Sequence, residues 1–308
     1  MISNKEITNS DITHKKIISD DITNKKITNS YILNSVTESL NKIIGMPHLL
    51  ITTRGNASIK TVLSIIKEQT NKNNILIPDE GGWLTYETEP IKWGLEVGRV
   101  KCDDSRINLV DLNEKLSEKN YGAFIYHQPG GYFAKQPMKE IYEICQKHDC
   151  LVIMDVSGSI GTELYESRYA DIVIGSFGKW KLVDAGKGGF IASNDDLLFE
   201  KIRGKCLEYD NLLNDEKLLS IINDKLENLP ARIEYLSSKR KKIVDDLKDN
   251  FEIIYPNDYG LVVIVKFKDD IEKGKILEYC KDNHLEWTEC PRYIRLNQKA
   301  ISIEVKRL

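Results

Sequence analysis

The sequence predicts a large α/β domain built on a mostly parallel sheet, followed by a small C-terminal α+β domain. Three observations carry this prediction. Short, continuous apolar runs alternate with amphipathic helical stretches through the first two thirds of the chain, as expected of strands buried on both faces. After a mostly helical stretch over 197–248 the rhythm changes to strands around a single helix. The length, 308 residues, suits about two domains of roughly 150 residues each. The expected boundaries are an extension over residues 1–35, a large domain over 36–215 and a small domain over 216–308.

The extension stands apart in pattern. Isoleucine recurs at every fifth position: Ile2, Ile7, Ile12, Ile17, Ile22, Ile27 and Ile32. A step of five stays on neither a helix face nor a strand face. A pentapeptide β-helix would need more coils, and small residues where Lys15 and Lys25 stand. The segment therefore reads as a low-complexity extension.

From residue 35 the pattern is globular. A short helix is predicted over 35–44. A second is predicted over 56–69, with Ile59, Val62, Leu63 and Ile66 on one face. Strands are expected at 74–78, 123–126, 151–155, 171–175 and 188–192. A helix over 138–148 turns Ile141, Ile144 and Cys145 inward. Residues 197–248 read as mostly helical, with Pro230 as a break. Then come a strand at 261–267, a helix at 271–283, and strands at 292–296 and 301–305.

Composition excludes several classes of function. Lys and Arg number 44 against 47 Asp and Glu, a net charge of −3, so no global basic footprint for nucleic acid is present. No apolar run approaches the roughly 18 residues of a membrane helix, and the N-terminal isoleucines are too interspersed for a secretory signal. The six cysteines form no CxxC pair and read as free thiols of a reducing cytoplasm. Five scattered histidines without HExxH imply no metal site.

In open α/β sheets, ligands bind beyond the carboxyl ends of the strands. Two strands end in LVIMDVSGSIG and ADIVIGSFGKWKLVDAGKGGF. The first places Asp155 at a strand end. The second places Ser176, Lys179 and Lys181 in a loop that closes on Gly186, Gly188 and Gly189. This combination fits pyridoxal 5′-phosphate. That cofactor needs a lysine for a Schiff base, an acid opposite its pyridine nitrogen, and hydroxyl and backbone N–H donors for its phosphate.

The same runs resemble the DegT/StrS family of fold-type-I pyridoxal-phosphate enzymes, best known as sugar aminotransferases. The family reads S-F-H-x-x-K, four residues, then G-E-G-G. Ser176, Phe177, Lys181, Gly186, Gly188 and Gly189 fall into that register without a gap. DVSGSIG resembles the family's D-A-A-Q-A-L-G, and TRGNASI, residues 53–59, its G-T-S-A-L helix start. The chain departs from the family at Gly158, where Gln or His is common, at Gly178 in place of His, and at Lys187 in place of Glu.

The resemblance implies a fold-type-I architecture and an aminotransferase working on a small-molecule amino donor and acceptor, as a homodimer. It implies Lys181 as the Schiff-base lysine, with Lys179 as a rival because Ser176-x-x-Lys179 matches the S-x-x-K of other aminotransferase classes. Asp155 would face the pyridine nitrogen and Ser176 the phosphate. Gly55, Asn56 and Ala57 would meet the phosphate from a helix start. Trp83 or Tyr86 would stack on the ring. His127 or Gln128 would touch substrate or cofactor, and Arg295, rather than Arg292, would bind the substrate carboxylate. Other pyridoxal-phosphate reactions stay open at this stage: elimination, decarboxylation, aminoacyl conversion, or sulfur transfer through Cys290. So does a sensor that holds the cofactor without turnover.

Overall fold

The structure is a computed structural model and describes residues 31–209, 215–291 and 296–308. The isoleucine pentads up to residue 30 lie outside the described residues. In chain order the elements are a helix over residues 31–44 (α1), β1 (His48–Thr52), α2 (Gly55–Thr70), β2 (Asn74–Pro78), α3 (Thr85–Lys92) and β3 (Glu96–Val100). A two-strand pair follows, β4 (Cys102–Asp103) and β5 (Arg106–Ile107), then α4 (Leu109–Glu118), β6 (Ala123–His127), α5 (Met138–Lys147), β7 (Leu151–Asp155), β8 (Ile172–Ser176) and β9 (Gly189–Ser193). The remainder comprises α6 (Asp196–Tyr209), α7 (Glu216–Glu227), α8 (Leu229–Leu247), β10 (Val263–Lys266), α9 (Asp270–Asp282), β11 (Trp287–Glu289) and β12 (Ala300–Ile303).

Seven strands form the main sheet in the order β1-β9-β8-β7-β6-β2-β3. β9 runs antiparallel to both its neighbours, and the other pairings are parallel. The strands alternate strictly between two buried layers. Ile75, Ile77, Ile125, Ile153, Ile172, Ile174 and Ile191 pack with Ile59, Val62 and Ile66 of α2 and Leu198 and Ile202 of α6. Leu76, Phe124, Tyr126, Val152, Met154, Val173 and Phe190 face the opposite layer, with Leu40 of α1, Leu112 of α4 and Ile141 of α5. Period-2 burial on both faces is why these strands read as unbroken apolar runs.

The small unit carries a three-stranded sheet, β10-β12-β11, antiparallel throughout, with Ile276 and Cys280 of α9 buried. Pro230 lies in the first turn of α8, where its missing N–H is not needed, and Asn228 separates α8 from α7. The strand expected over 292–296 falls mostly outside the described residues, and Leu296 itself is irregular.

Chain order reverses direction across the sheet between β2 and β6. β3 lies outward of β2, while β7 and β8 succeed β6 on the other side. Such a switch point opens a crevice at the carboxyl ends of the strands.

Candidate active site

A cavity opens in that crevice. It is lined by Gly55, Asn56, Trp83, His127, Tyr132, Asp155, Ser157, Ser176 and Lys181, among others. They come from the start of α2, the loop after β2, and the ends of β6, β7 and β8 with the loops that follow, so the topology assembles residues that are far apart in sequence.

Gly55 opens α2 directly behind β1, and its leading N–H groups have no acceptor within the helix. A Cβ on Gly55 would stand 2.6 Å from the Ser176 Cβ and 3.0 Å from its Oγ, so only glycine allows this helix start to meet the end of β8. The result is a helix N-terminus beside a hydroxyl, an arrangement that suits an anion. Ala57 takes no part, since its N–H donates to the Arg54 carbonyl at 2.9 Å. The Asn56 side-chain oxygen accepts from the Trp83 indole N–H at 2.9 Å and the Thr85 hydroxyl at 3.2 Å. It therefore fixes Trp83 at the cavity wall.

Asp155 ends β7 and is 6% exposed. Its Oδ1 accepts from the Ser157 N–H at 2.9 Å, and its Oδ2 from the Tyr86 hydroxyl at 2.6 Å. Tyr86 is thus an orienting partner of the acid, fully buried, and not a stacking ring. His127 ends β6, and its Nδ1 lies 2.6 Å from the Pro129 carbonyl. A carbonyl only accepts, so Nδ1 carries the proton. Burial lowers the pKa of the ring, which leaves Nε2 with a free lone pair. That atom is buried and has no hydrogen-bond partner among the described residues. Gln128 is structural: it bonds the Leu164 carbonyl and the Gln136 N–H at 2.9 and 3.0 Å.

Lys181 reaches the cavity from the loop between β8 and β9. Asp184 organises that loop, accepting from the N–H groups of Trp180 and Gly186 at 2.7 and 3.2 Å. Gly188 N–H ties it to the Thr53 carbonyl at 2.8 Å. Burial lowers the Lys181 pKa, against the opposing pull of Asp155, Asp184 and Glu304. A lowered pKa favours the neutral, nucleophilic amine. Lys179 is exposed and sits 4.6 Å from the Trp180 ring, outside the cavity. Arg292 and Arg295 lie outside the described residues. Cys290 lines a different depression, and burial pushes its thiol up to about 12, which disfavours the thiolate that sulfur transfer requires.

Sequence reasoning passed over Tyr132, whose hydroxyl contacts Lys181 Nζ. It also passed over the buried pair Glu304–Lys306 of the small unit. Nothing in the run IEVKRL distinguishes those charges from solvated ones.

An amine, a buried carboxylate and an anion cradle at the switch point of a seven-stranded sheet define the class: a fold-type-I pyridoxal-phosphate architecture with a small C-terminal domain. The comparisons agree. Residues 13–245 match the DegT/DnrJ/EryC1/StrS aminotransferase family, and the chain belongs to it. Residues 234–308 also match the MJ1341 family C-terminal domain. The chain is 24% identical over 115 residues to GDP-perosamine synthase of Vibrio cholerae, an alignment that spans 36% of this chain and 29% of that protein.

Among solved structures, PseC of Helicobacter pylori, an aminotransferase of pseudaminic acid biosynthesis, superposes with a TM-score of 0.70 at 15% identity. That match covers 91% of this chain and 90% of PseC. A serine palmitoyltransferase of S. paucimobilis with bound PLP superposes with a TM-score of 0.66 at 18% identity, over 88% of this chain and 70% of that one. These likenesses speak to the fold. Family and fold together indicate pyridoxal 5′-phosphate as the cofactor. The residues present fit it: the Gly55–Ser176 cradle admits no Cβ, and the buried His127 Nε2 awaits a partner. Among the described residues no helix is long and apolar enough to cross a membrane, and no cluster of His, Cys, Asp or Glu could hold a metal.

Proposed function

We propose that the chain is a pyridoxal-phosphate-dependent aminotransferase that holds its cofactor covalently through Lys181 and moves an amino group between a small-molecule donor and acceptor. The observation that carries this reading is the convergence of the Lys181 amine, the buried Asp155 carboxylate and the Gly55–Ser176 cradle on one cavity. When bound, the cofactor supplies an electron sink for the bond broken at the substrate Cα.

The chain's residues supply the rest. The α2 start and the Ser176 hydroxyl bind the phosphate. Asp155, held by Tyr86 and Ser157, keeps a proton on the pyridine nitrogen. Trp83 walls the ring against water. Lys181 Nζ would take a proton from the substrate Cα and return it as general acid. His127 Nε2 accepts a hydrogen bond from cofactor or substrate, and Arg295 takes the donor carboxylate.

The large unit over 36–215 carries the cofactor and the small unit over 216–308 covers it. The working form is a homodimer in the cytoplasm. This rests on family resemblance and on the reduced-thiol pattern.

The test is borohydride reduction of the purified protein with pyridoxal phosphate, followed by peptide mapping. The adduct is expected on Lys181, and Lys181→Ala abolishes it together with the visible absorbance band. An adduct on Lys179 would overturn the assignment. Spectral cycling between aldehyde and amine forms on adding amino donors is the expected sign of transamination, and a band that no donor bleaches would indicate a sensor instead.

A further inference from the structure

Tyr132 meets the reactive lysine directly. Lys181 Nζ donates to its hydroxyl, the side chain is 5% exposed, and the residue lines the cavity. Its ring is held on several sides. Lys306 Nζ lies 4.8 Å from the ring centre, and the His127 ring meets it edge-on at 4.4 Å. The backbone is pinned as well: Tyr132 O accepts from the Leu261 N–H at 2.8 Å, and Leu261 O from the Lys306 N–H at 2.9 Å. Tyr132 also adopts φ +70, a left-handed conformation that a non-glycine residue keeps only where its surroundings over-determine it.

Space for the ring comes from Gly158. A Cβ there would stand 3.0 Å from the Tyr132 Cδ1 and 3.2 Å from the His127 Cε1. A longer side chain at 158 and the tyrosine ring exclude each other.

We propose that Tyr132 is a further catalytic residue of this chain, whose hydroxyl holds Lys181 Nζ and aims it into the cavity, in space that glycine at 158 leaves open. This rests on Lys181 being the cofactor lysine. Burial raises the tyrosine's own pKa, so the hydroxyl stays a neutral phenol, able to accept from the ammonium form and donate to the amine. The other groups that bear on Lys181 are Asp155 at the end of β7, His127 at the end of β6, Asp184 in its own loop, and Glu304 and Lys306 from the small unit.

The test begins with cofactor-free protein, reductively methylated with ¹³C-formaldehyde, with the Lys181 signal identified by its loss in Lys181→Arg. In Tyr132→Phe, which keeps the ring, the Lys181 titration midpoint is expected to fall by about one pH unit, because the ammonium loses an acceptor. Gly158→Ala keeps the hydroxyl but displaces the ring, and should shift the midpoint the same way. In the loaded enzyme, Tyr132→Phe is expected to slow the donor half-reaction about tenfold while KM for the donor stays within about twofold. Wild-type titration of Lys181 in both folded variants overturns the proposal. If borohydride leaves no adduct on Lys181, the aminotransferase reading fails separately, and the titration in cofactor-free protein still reports the contact.

Discussion

The Gly55–Ser176 contact allows a prediction whose size follows from the geometry. An alanine at 55 would place Cβ 2.6 Å from the Ser176 Cβ and 3.4 Å from its Cα. Ordinary carbon contacts lie at about 3.5–4.0 Å, so the shortfall is about 1 Å. No rotamer change relieves it, because the Ser176 Cβ is fixed by the β8 backbone. The start of α2 and the end of β8 must separate. Such overpacking costs about 1–3 kcal/mol of stability. The same displacement pulls the helix start and the hydroxyl off a shared phosphate. Losing one charge-assisted hydrogen bond, worth about 1.5–3 kcal/mol, weakens cofactor binding by about 10- to 100-fold.

Equilibrium titration with pyridoxal phosphate, followed by absorbance, measures the affinity, and urea denaturation measures the stability. Ile202→Val is the control. It thins the fully buried α6 face away from the cavity, costs about 0.5–1.5 kcal/mol, and leaves the affinity alone. A folded Gly55→Ala protein with wild-type affinity would refute the cradle.

Two further predictions concern buried charge. Lys306→Met leaves Glu304, 2% exposed, without its closest cation. A loss of about 3–5 kcal/mol is expected in denaturant titration, largely recovered in the double variant Glu304→Gln/Lys306→Met. A single variant as stable as wild type would show that the remaining partners of Glu304, with Arg307, Thr288 and Ser302 among them, suffice. For Asp155→Asn, removal of a charge that holds the Lys181 pKa up should move the lysine's titration further down. The amine of cofactor-free protein would then stay neutral, and react with pyridoxal phosphate, to lower pH. An unchanged pH profile would mean that Asp155 does not act on the lysine.

How much was legible depended on whether the signal was local. β2 and β7 begin and end where the apolar runs do, and α2 differs by one residue at each end, because continuous burial leaves a contiguous trace. β1 and β3 were passed over. They are the two edges of the sheet: charged residues break the apolar pattern of β3, and the apolar run of β1, Leu49–Ile51, is too short to stand out. The Lys181 loop was readable because its spacing is a one-dimensional pattern. Tyr86 was misread because position suggested a stacking ring, whereas its hydroxyl finds Asp155 from 69 residues away. Glu304, Lys306 and Tyr132 were invisible for the same reason. A charge in a short C-terminal run looks solvated until the fold closes over it, and only the fold brings Lys306 to the Tyr132 ring.

The sorting of isoleucine to one side of the sheet has a consequence for how the site receives its ligand. β-Branched side chains have few rotamers to lose and few to explore, and this layer is the one on which α2 rests. The opposite layer is richer in aromatic residues and also holds the flexible Met154. The helix proposed to meet the phosphate is therefore seated on the stiffest part of the interior. Its N–H groups are preorganised before an anion arrives, so little of the binding free energy goes into ordering the receptor.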